Sequence, residues 1–439
     1  MSVFLQRLLA GLTVLGAVVL VLVAAGLIPP EEPGPVRVEP FSVEKAVVPS
    51  SKVLQSEPDA GAATNARALR FVPLCEAPAM GARWFKLTLV ENQEALLVFC
   101  KQGYELFAVG ERTGELSLTR VARFKTHGDL PGGAAAGDFD GDGQRDLVLG
   151  VAARPGVVHR SGAGVFWLRG RAQGGFEPAR ILAETSSSAI ASYARGAGRP
   201  AQLFVLTAGD VAAQRPAELW LFGREPSLSR KQLLPVGLDP RGLVLRAAVE
   251  AEHVAAFVLI GQPGRLSRAT FNLGTLAPLG EPTHLDVRGA QAFAHDPSFG
   301  DALFMRDATV IYRVERAATP SLHAFARDAH VGPFVLSDLN GDLKPDVFAA
   351  IEAGVGFLRE GDQELEELSL PEDLKVLDVE TVRAGESALT PVALISGRPD
   401  ANMLSLIILP PPPWKANAMP ALLAGELAPG QSPAEVALE

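Results

Sequence analysis

Short apolar runs, each closed by glycine or polar residues, recur along most of the chain. Seven align with one another: Ala95 to Cys100, Asp146 to Val151, Gln202 to Thr207, Ala255 to Ile260, Ala302 to Arg306, Asp346 to Ile351 and Pro391 to Ser396. Apolar runs of this length between turn residues read as buried β-strands, and nothing between them keeps a long helical period. A further strand follows each run after a gap of variable length. In four units that strand ends on an aromatic-x-x-Gly pattern, at Phe107 to Gly110, Trp167 to Gly170, Trp220 to Gly223 and Phe271 to Gly274. Tyr312, Phe357 and Leu406 hold the corresponding place in the other three. The units recur about every 50 residues, which is room for four short strands.

A sheet of four short strands cannot cover both of its faces by itself. Units arranged radially cover one another and leave only short edges, which is how a β-propeller is built. The pattern therefore predicts an all-β fold, a seven-bladed β-propeller over residues 71–413. The blades fall near 82–127, 131–185, 187–235, 241–285, 287–325, 330–371 and 374–413. Ring closure would borrow a strand from Arg70 to Leu74. Six blades with an outlying β module is the alternative, because the fourth, fifth and seventh units carry the weakest marks.

Outside this region the pattern changes. Leu8 to Ile28 is an unbroken stretch of 21 uncharged, mostly aliphatic residues between Arg7 and the sequence Pro29-Pro30-Glu31-Glu32. At about 1.5 Å of rise per residue this helix just spans a hydrocarbon core of roughly 30 Å. Residues 1–28 thus read as a signal anchor or transmembrane helix, with Arg7 on the cytoplasmic side and the glutamates outside. A cleaved signal peptide, cut after Val23 and Ala25, is the competing reading; the run exceeds the usual signal core of about 7 to 15 residues. Either way the folded part is exported, to be tethered at the cell envelope or, if the helix is cleaved, secreted. Residues 29–70 are rich in Pro, Glu, Ser and Ala and read as a flexible linker. Residues 414–439, poor in strand formers and punctuated by proline, are expected to be a disordered tail.

A net charge of −10 without any basic run argues against nucleic acid as a partner. The two cysteines, Cys75 and Cys100, rule out a thiolate zinc cluster. A single disulfide that pins the closing strand to the first blade and a pair of buried thiols remain open alternatives.

Local chemistry concentrates in one loop, Gly137 to Gly150, where Asp138, Asp140, Asp142 and Asp146 take positions one, three, five and nine. Four carboxylates this close repel one another unless a cation sits among them. Oxygens from alternate residues plus one backbone carbonyl, here that of Gln144, are what calcium takes. A second copy, Asp338, Asn340, Asp342 and Asp346 with the Lys344 carbonyl, repeats the spacing. Position twelve is Leu149 in one and Ala349 in the other, so neither is an EF-hand, which wants a bidentate glutamate there. Both loops lead directly into an apolar strand. The pattern D-x-[DN]-G-D-x-x-x-D before such a strand resembles the FG-GAP or VCBS repeat, the calcium-loop blade of integrin-α-like β-propellers. The first copy matches throughout; the second has Leu343 where the family has glycine. The resemblance implies Ca²⁺ as the bound ion, a structural role for both loops, and a ligand-binding face on the opposite side of the ring. Asp296 and Asp301 stand in a comparable place but do not keep the spacing.

Catalytic signatures are absent: there is no G-x-S-x-G elbow, no H-E-x-x-H helix, no phosphate loop and no dinucleotide fingerprint. The seven histidines are scattered without metal-ligand spacing. The expected function is a non-catalytic binding or scaffolding module at the cell envelope, with a protein or envelope partner. The alternative is a propeller hydrolase or lyase acting on an extracellular polymer. The gaps Ala152 to Gly164 and Ala208 to Pro216 would project on the face opposite the aspartate loops, where Arg154, His159, Arg160 and Arg215 join Lys125 and His127 in a basic patch.

Overall fold

The computed structural model describes residues between Arg70 and Leu409, several loops between strands excepted. The expected N-terminal helix, the linker up to residue 69, the tail and most of the basic patch lie outside the described residues, as do Asp296 and Asp301. Among the described residues no helix is long and apolar enough to cross a membrane.

The chain opens with β1 (Arg70–Glu76). The next four strands, β2 (Trp84–Val90), β3 (Gln93–Cys100), β4 (Gly103–Arg112) and β5 (Glu115–Lys125), pair in order as the first sheet. The second sheet is β6 (Leu130–Gly137), β7 (Asp146–Ala152), β8 (Gly164–Leu168) and β9 (Arg180–Ala183). The third is β10 (Ser187–Tyr193), β11 (Gln202–Thr207), β12 (Glu218–Phe222) and β13 (Leu228–Leu233). The fourth runs through β14 (Asp239–Ala247), β15 (Glu252–Ile260), β16 (Arg265–Asn272) and β17 (Thr283–Arg288). Then come β18 (Ala292–Ala294), β19 (Leu303–Arg306), β20 (Val310–Val314) and β21 (Leu322–Arg327). The sixth sheet is β22 (Phe334–Ser337), β23 (Asp346–Ile351), β24 (Gly354–Leu358) and β25 (Glu366–Ser369). The last has only three strands in sequence, β26 (Lys375–Val382), β27 (Thr390–Gly397) and β28 (Asp400–Ile408).

All pairings are antiparallel, and the last sheet completes itself with β1, which pairs with β28 from Arg70 opposite Ile408 to Glu76 opposite Met403. The strand expected over Arg70 to Leu74 is thus present and runs on to Glu76, and the linker expected over 29–70 overlaps it at Arg70. The seven apolar runs are the second strands of their sheets, which explains their composition: a strand with neighbours on both sides and a sheet against each face has nowhere to place a polar side chain. β7 and β23 are accordingly buried through Asp146–Val151 and Asp346–Ile351.

Packing between sheets follows a radial order. The first strands β2, β6, β10 and β14 lie in succession against one another, as do β18, β22 and β26, and β26 returns to β2. Faces interleave at each step. Trp84, Leu96, Val98 and Phe107 of the first sheet pack with Val382, Val392, Leu394 and Leu406 of the last. Val148, Val165 and Trp167 of the second meet Leu203, Val205 and Trp220 of the third. A fully buried side chain of this kind contributes about 1.5 to 3 kcal/mol. One polar bond also crosses: the hydroxyl of the fully buried Tyr104 on β4 donates to the Gly150 carbonyl on β7 at 2.7 Å.

Candidate metal centre

Both aspartate loops connect the first and second strands of their sheets, β6 to β7 and β22 to β23. Gly141 and Gly341 adopt the left-handed backbone, φ 82° and 85°, at the same point of each turn. Between the aspartates one apolar residue plugs the core beneath: Phe139 in one loop, Leu339 in the other, both essentially buried. The buried plug and the conformation of the glycine fold the acidic residues back over their own backbone.

In the first loop the carboxylates gather amide donors. Asp138 Oδ1 accepts from Gly141 at 2.7 Å and its Oδ2 from Gly143 at 3.0 Å. Asp140 Oδ1 accepts from Asp142, and Asp142 Oδ1 from Gln144. Asp146, fully buried at the start of β7, accepts from Phe139 at 3.0 Å and from Gly170 at 2.8 Å. Burial pushes its carboxyl up to about 6, against the two amides that pull it down. Oxygens of Asp138, Asp140 and Asp146 lie within 4.8 Å of one another. Oxygens sharing one hard cation at about 2.3 to 2.6 Å take separations of this size. The donor set therefore fits calcium.

A protein cation is also present. Arg169, just beyond β8, places Nε 2.5 Å from Asp140 Oδ2 and a terminal nitrogen 2.9 Å from Asp142 Oδ2. The carboxylates, Asp140 foremost, raise the guanidinium above its ordinary value. The repulsion that implied a metal is thus met in part by arginine, which the reading of the loop missed. A sequence signal existed: Gly164-Val165-Phe166-Trp167-Leu168-Arg169 and Gly354-Val355-Gly356-Phe357-Leu358-Arg359 share Gly, Val, an aromatic, Leu and Arg in register. Leu147 pairs with Leu168 and Val347 with Leu358, so each arginine follows the partner of the residue after the last aspartate.

The second loop repeats the bonds. Asp338 Oδ1 accepts from Gly341 at 2.6 Å and Asp342 at 3.1 Å, and Asp342 Oδ1 accepts from Lys344 at 2.9 Å. Asp346, fully buried, accepts from Leu339 at 2.9 Å. Asn340 turns its amide nitrogen on Asp342 Oδ2 at 3.0 Å, so at position three an amide group replaces the carboxylate of the first loop.

The first loop also reaches the next sheet. The Ala201 amide donates to the Asp138 carbonyl at 2.6 Å, and Arg224 Nε to the Asp140 carbonyl at 3.2 Å. The aromatic-x-x-Gly pattern has a reason here too. A Cβ on Gly170 would stand 2.3 Å from the Arg145 carbonyl oxygen, so only glycine brings its amide onto Asp146.

Elsewhere, Cys75 and Cys100 form a disulfide with a Cα separation of 6.0 Å. Trp84, Trp167 and Trp220 are core residues. Among the histidines, His284 Nδ1 lies 3.3 Å from Ser267 Oγ, a bond within the fourth sheet.

No protein-family description matches the chain, and neither does any curated protein. Solved structures do. The crystal structure of BBS1N in complex with ARL6DN, soaked with lead, superposes with TM-score 0.52 at 12% identity, covering 77% of this chain and 96% of that chain. The same complex soaked with mercury gives TM-score 0.50 at 11% identity, over 77% and 95%. The Dos1 propeller aligns at TM-score 0.43 and 9% identity, over 72% and 76%. At such identities the BBS1N likeness bears on fold; with the radial order of four-stranded sheets, it makes the chain an all-β propeller.

Proposed function

We propose that the chain is a calcium-stabilised, non-catalytic propeller of the FG-GAP or VCBS type that binds a protein partner at the cell envelope. Its seven four-stranded sheets are read as seven blades closed into one ring by β1. The observation that carries the metal is the convergence of Asp138, Asp140 and Asp146 in a loop that also bonds the neighbouring sheet. An ion there, with Asp142 and the Gln144 carbonyl completing the set, would brace two sheets at once. Asp338, Asn340, Asp342, Asp346 and the Lys344 carbonyl would form the weaker site.

Protein binding is supported by the fold neighbour BBS1N, which was solved with ARL6DN bound to it. Export and a tether through residues 8–28 are supported by the apolar run and its flanking charges, and a disulfide suits an oxidising compartment.

The test is thermal unfolding of the full-length protein in chelator and across a calcium titration, with Asp140→Ala in parallel. A ligand held only by the native state stabilises it by mass action, by about 2.7 kcal/mol at a hundredfold excess over Kd, and so raises the melting temperature. The expected result is a rise that Asp140→Ala removes; a parent protein indifferent to calcium at millimolar concentration refutes the metal. Affinity capture from solubilised envelopes at millimolar calcium should retain a stoichiometric protein. Retention of none by the folded protein refutes the binding role.

A further inference from the structure

The cavity beside Cys75 and Cys100 lies away from the aspartate loops, and the proposed function does not use it. Cys75 is on β1, in the sheet that holds both ends of the described chain, and Cys100 ends β3 in the first sheet. Their disulfide therefore ties the last sheet to the first. Two further bonds join the same segments. The Lys101 amide donates to the Glu76 carbonyl at 3.2 Å, and Lys101 Nζ lies 3.5 Å from Glu76 Oε2.

A partly open cavity of about 140 Å³ adjoins the sulfurs, with Tyr104, Glu105, Lys101 and Arg123 in its lining. At about 30 Å³ for a water, that is room for a small organic molecule. Glu105 has a side chain only 2% exposed. Arg123 grips Oε1, with Nε at 2.8 Å and a terminal nitrogen at 2.5 Å. Oε2 has no hydrogen-bond partner, and Arg120 stands 3.7 Å from it. A carboxylate oxygen of Glu105 lies within 4.8 Å of both sulfurs. A buried acceptor left without a donor is unfavourable, so this oxygen marks where a donor belongs. The disulfide beside the Glu105 carboxylate is electrophilic toward a thiol sulfur.

We propose that this cavity is a thiol–disulfide exchange site for a small organic thiol. The thiol donates its S–H to Glu105 Oε2, and its sulfur attacks one of the two cysteine sulfurs. A new sulfur–sulfur bond forms as the Cys75–Cys100 bond breaks, and the electron pair leaves on the other cysteine, which takes the proton from Glu105. A second thiol then attacks the mixed disulfide and departs with the first as a symmetrical disulfide. Two thiols are oxidised and the protein gains two cysteine thiols. The covalent tie between the last and first sheets opens while β1 stays paired with β28.

The oxidised full-length protein would be exposed under native conditions to 2-mercaptoethanol, quenched by alkylation and mapped by mass spectrometry. Local attack gives a rate proportional to thiol concentration and a mixed disulfide at Cys75 or Cys100. Glu105→Gln should slow it about tenfold or more. The parent's rate should fall with pH less steeply than the thiolate fraction, which drops about tenfold per unit below the thiol pKa; the variant should follow that fraction. A rate independent of thiol concentration means reduction waits for unfolding, and overturns the site. So does a variant that matches the parent in rate and slope. Should Glu105→Gln not fold, the parent's slope decides, a tenfold fall per pH unit overturning the role of Glu105.

Discussion

Arg169 illustrates how much one side chain can change the meaning of a motif. Four aspartates in a tight loop call for positive charge, and the Arg169 guanidinium contributes some of it to Asp140 and Asp142. Because Arg169 is over a third exposed and screened by solvent, its removal is expected to lower stability only slightly. Denaturant unfolding of Arg169→Gln should show that loss in chelator and its recovery in millimolar calcium; unchanged stability in chelator would mean that solvent already neutralises the loop. Gly170 is less forgiving. A methyl group there meets the Arg145 carbonyl oxygen, so Gly170→Ala should break the bond to Asp146 and destabilise by about 1 to 3 kcal/mol, measured by the same unfolding curves. A cost near zero would show that the strand end can move aside.

At the level of elements, the seam between β26 and β2 carries the polar burden of the ring. Lys86 on β2 donates to the Thr381 carbonyl at 3.0 Å and lies 3.7 Å from Glu380 and 3.8 Å from Glu94. Asp378, beside them, accepts from Val379 at 3.0 Å and, at 3.5 Å, from Trp84. Burial pushes its carboxyl up to about 7, with Arg83 opposing and the Glu380 charge assisting. The folded value lies above that of the unfolded chain, so between about pH 4 and 7 the native state holds a proton the unfolded chain has lost. Stability contributed by this group therefore falls as pH rises through that window. Melting temperatures from pH 5 to 8 should decline in the parent and decline less in Asp378→Asn; equal slopes would assign the effect to other groups.

For the whole molecule the decisive feature is closure. β1 comes from one end of the described chain and β26 to β28 from the other, so the last sheet joins the two ends. Removing β1 leaves β28 as an open edge in a sheet whose Leu404, Leu406 and Ile407 are fully buried. Such an edge invites pairing with another chain. A chain lacking residues 1–76 is expected to associate or lose its cooperative transition, as read by size-exclusion chromatography and melting. A monomer melting like the parent would show that closure through β1 contributes little.

Much of this architecture was legible in the residues alone, because its causes are local. A strand between two neighbours must be apolar, so seven such strands announce themselves as periodic runs. An aspartate loop needs its glycine and its spacing within a few residues, so both copies could be read directly. What the tertiary structure alone decided is whatever depends on strands far apart in sequence lying side by side. Arg169 reaches Asp140 only through the pairing of β7 with β8. Ala201 and Arg224 meet the loop only because the third sheet packs on the second. Whether Cys75 and Cys100 were joined or merely buried turned on β1 lying next to β28 and against β3. Glu105 became a buried carboxylate facing a disulfide for the same reason. Such juxtapositions are set by the register and order of the sheets, and a single sequence carries no local mark of either.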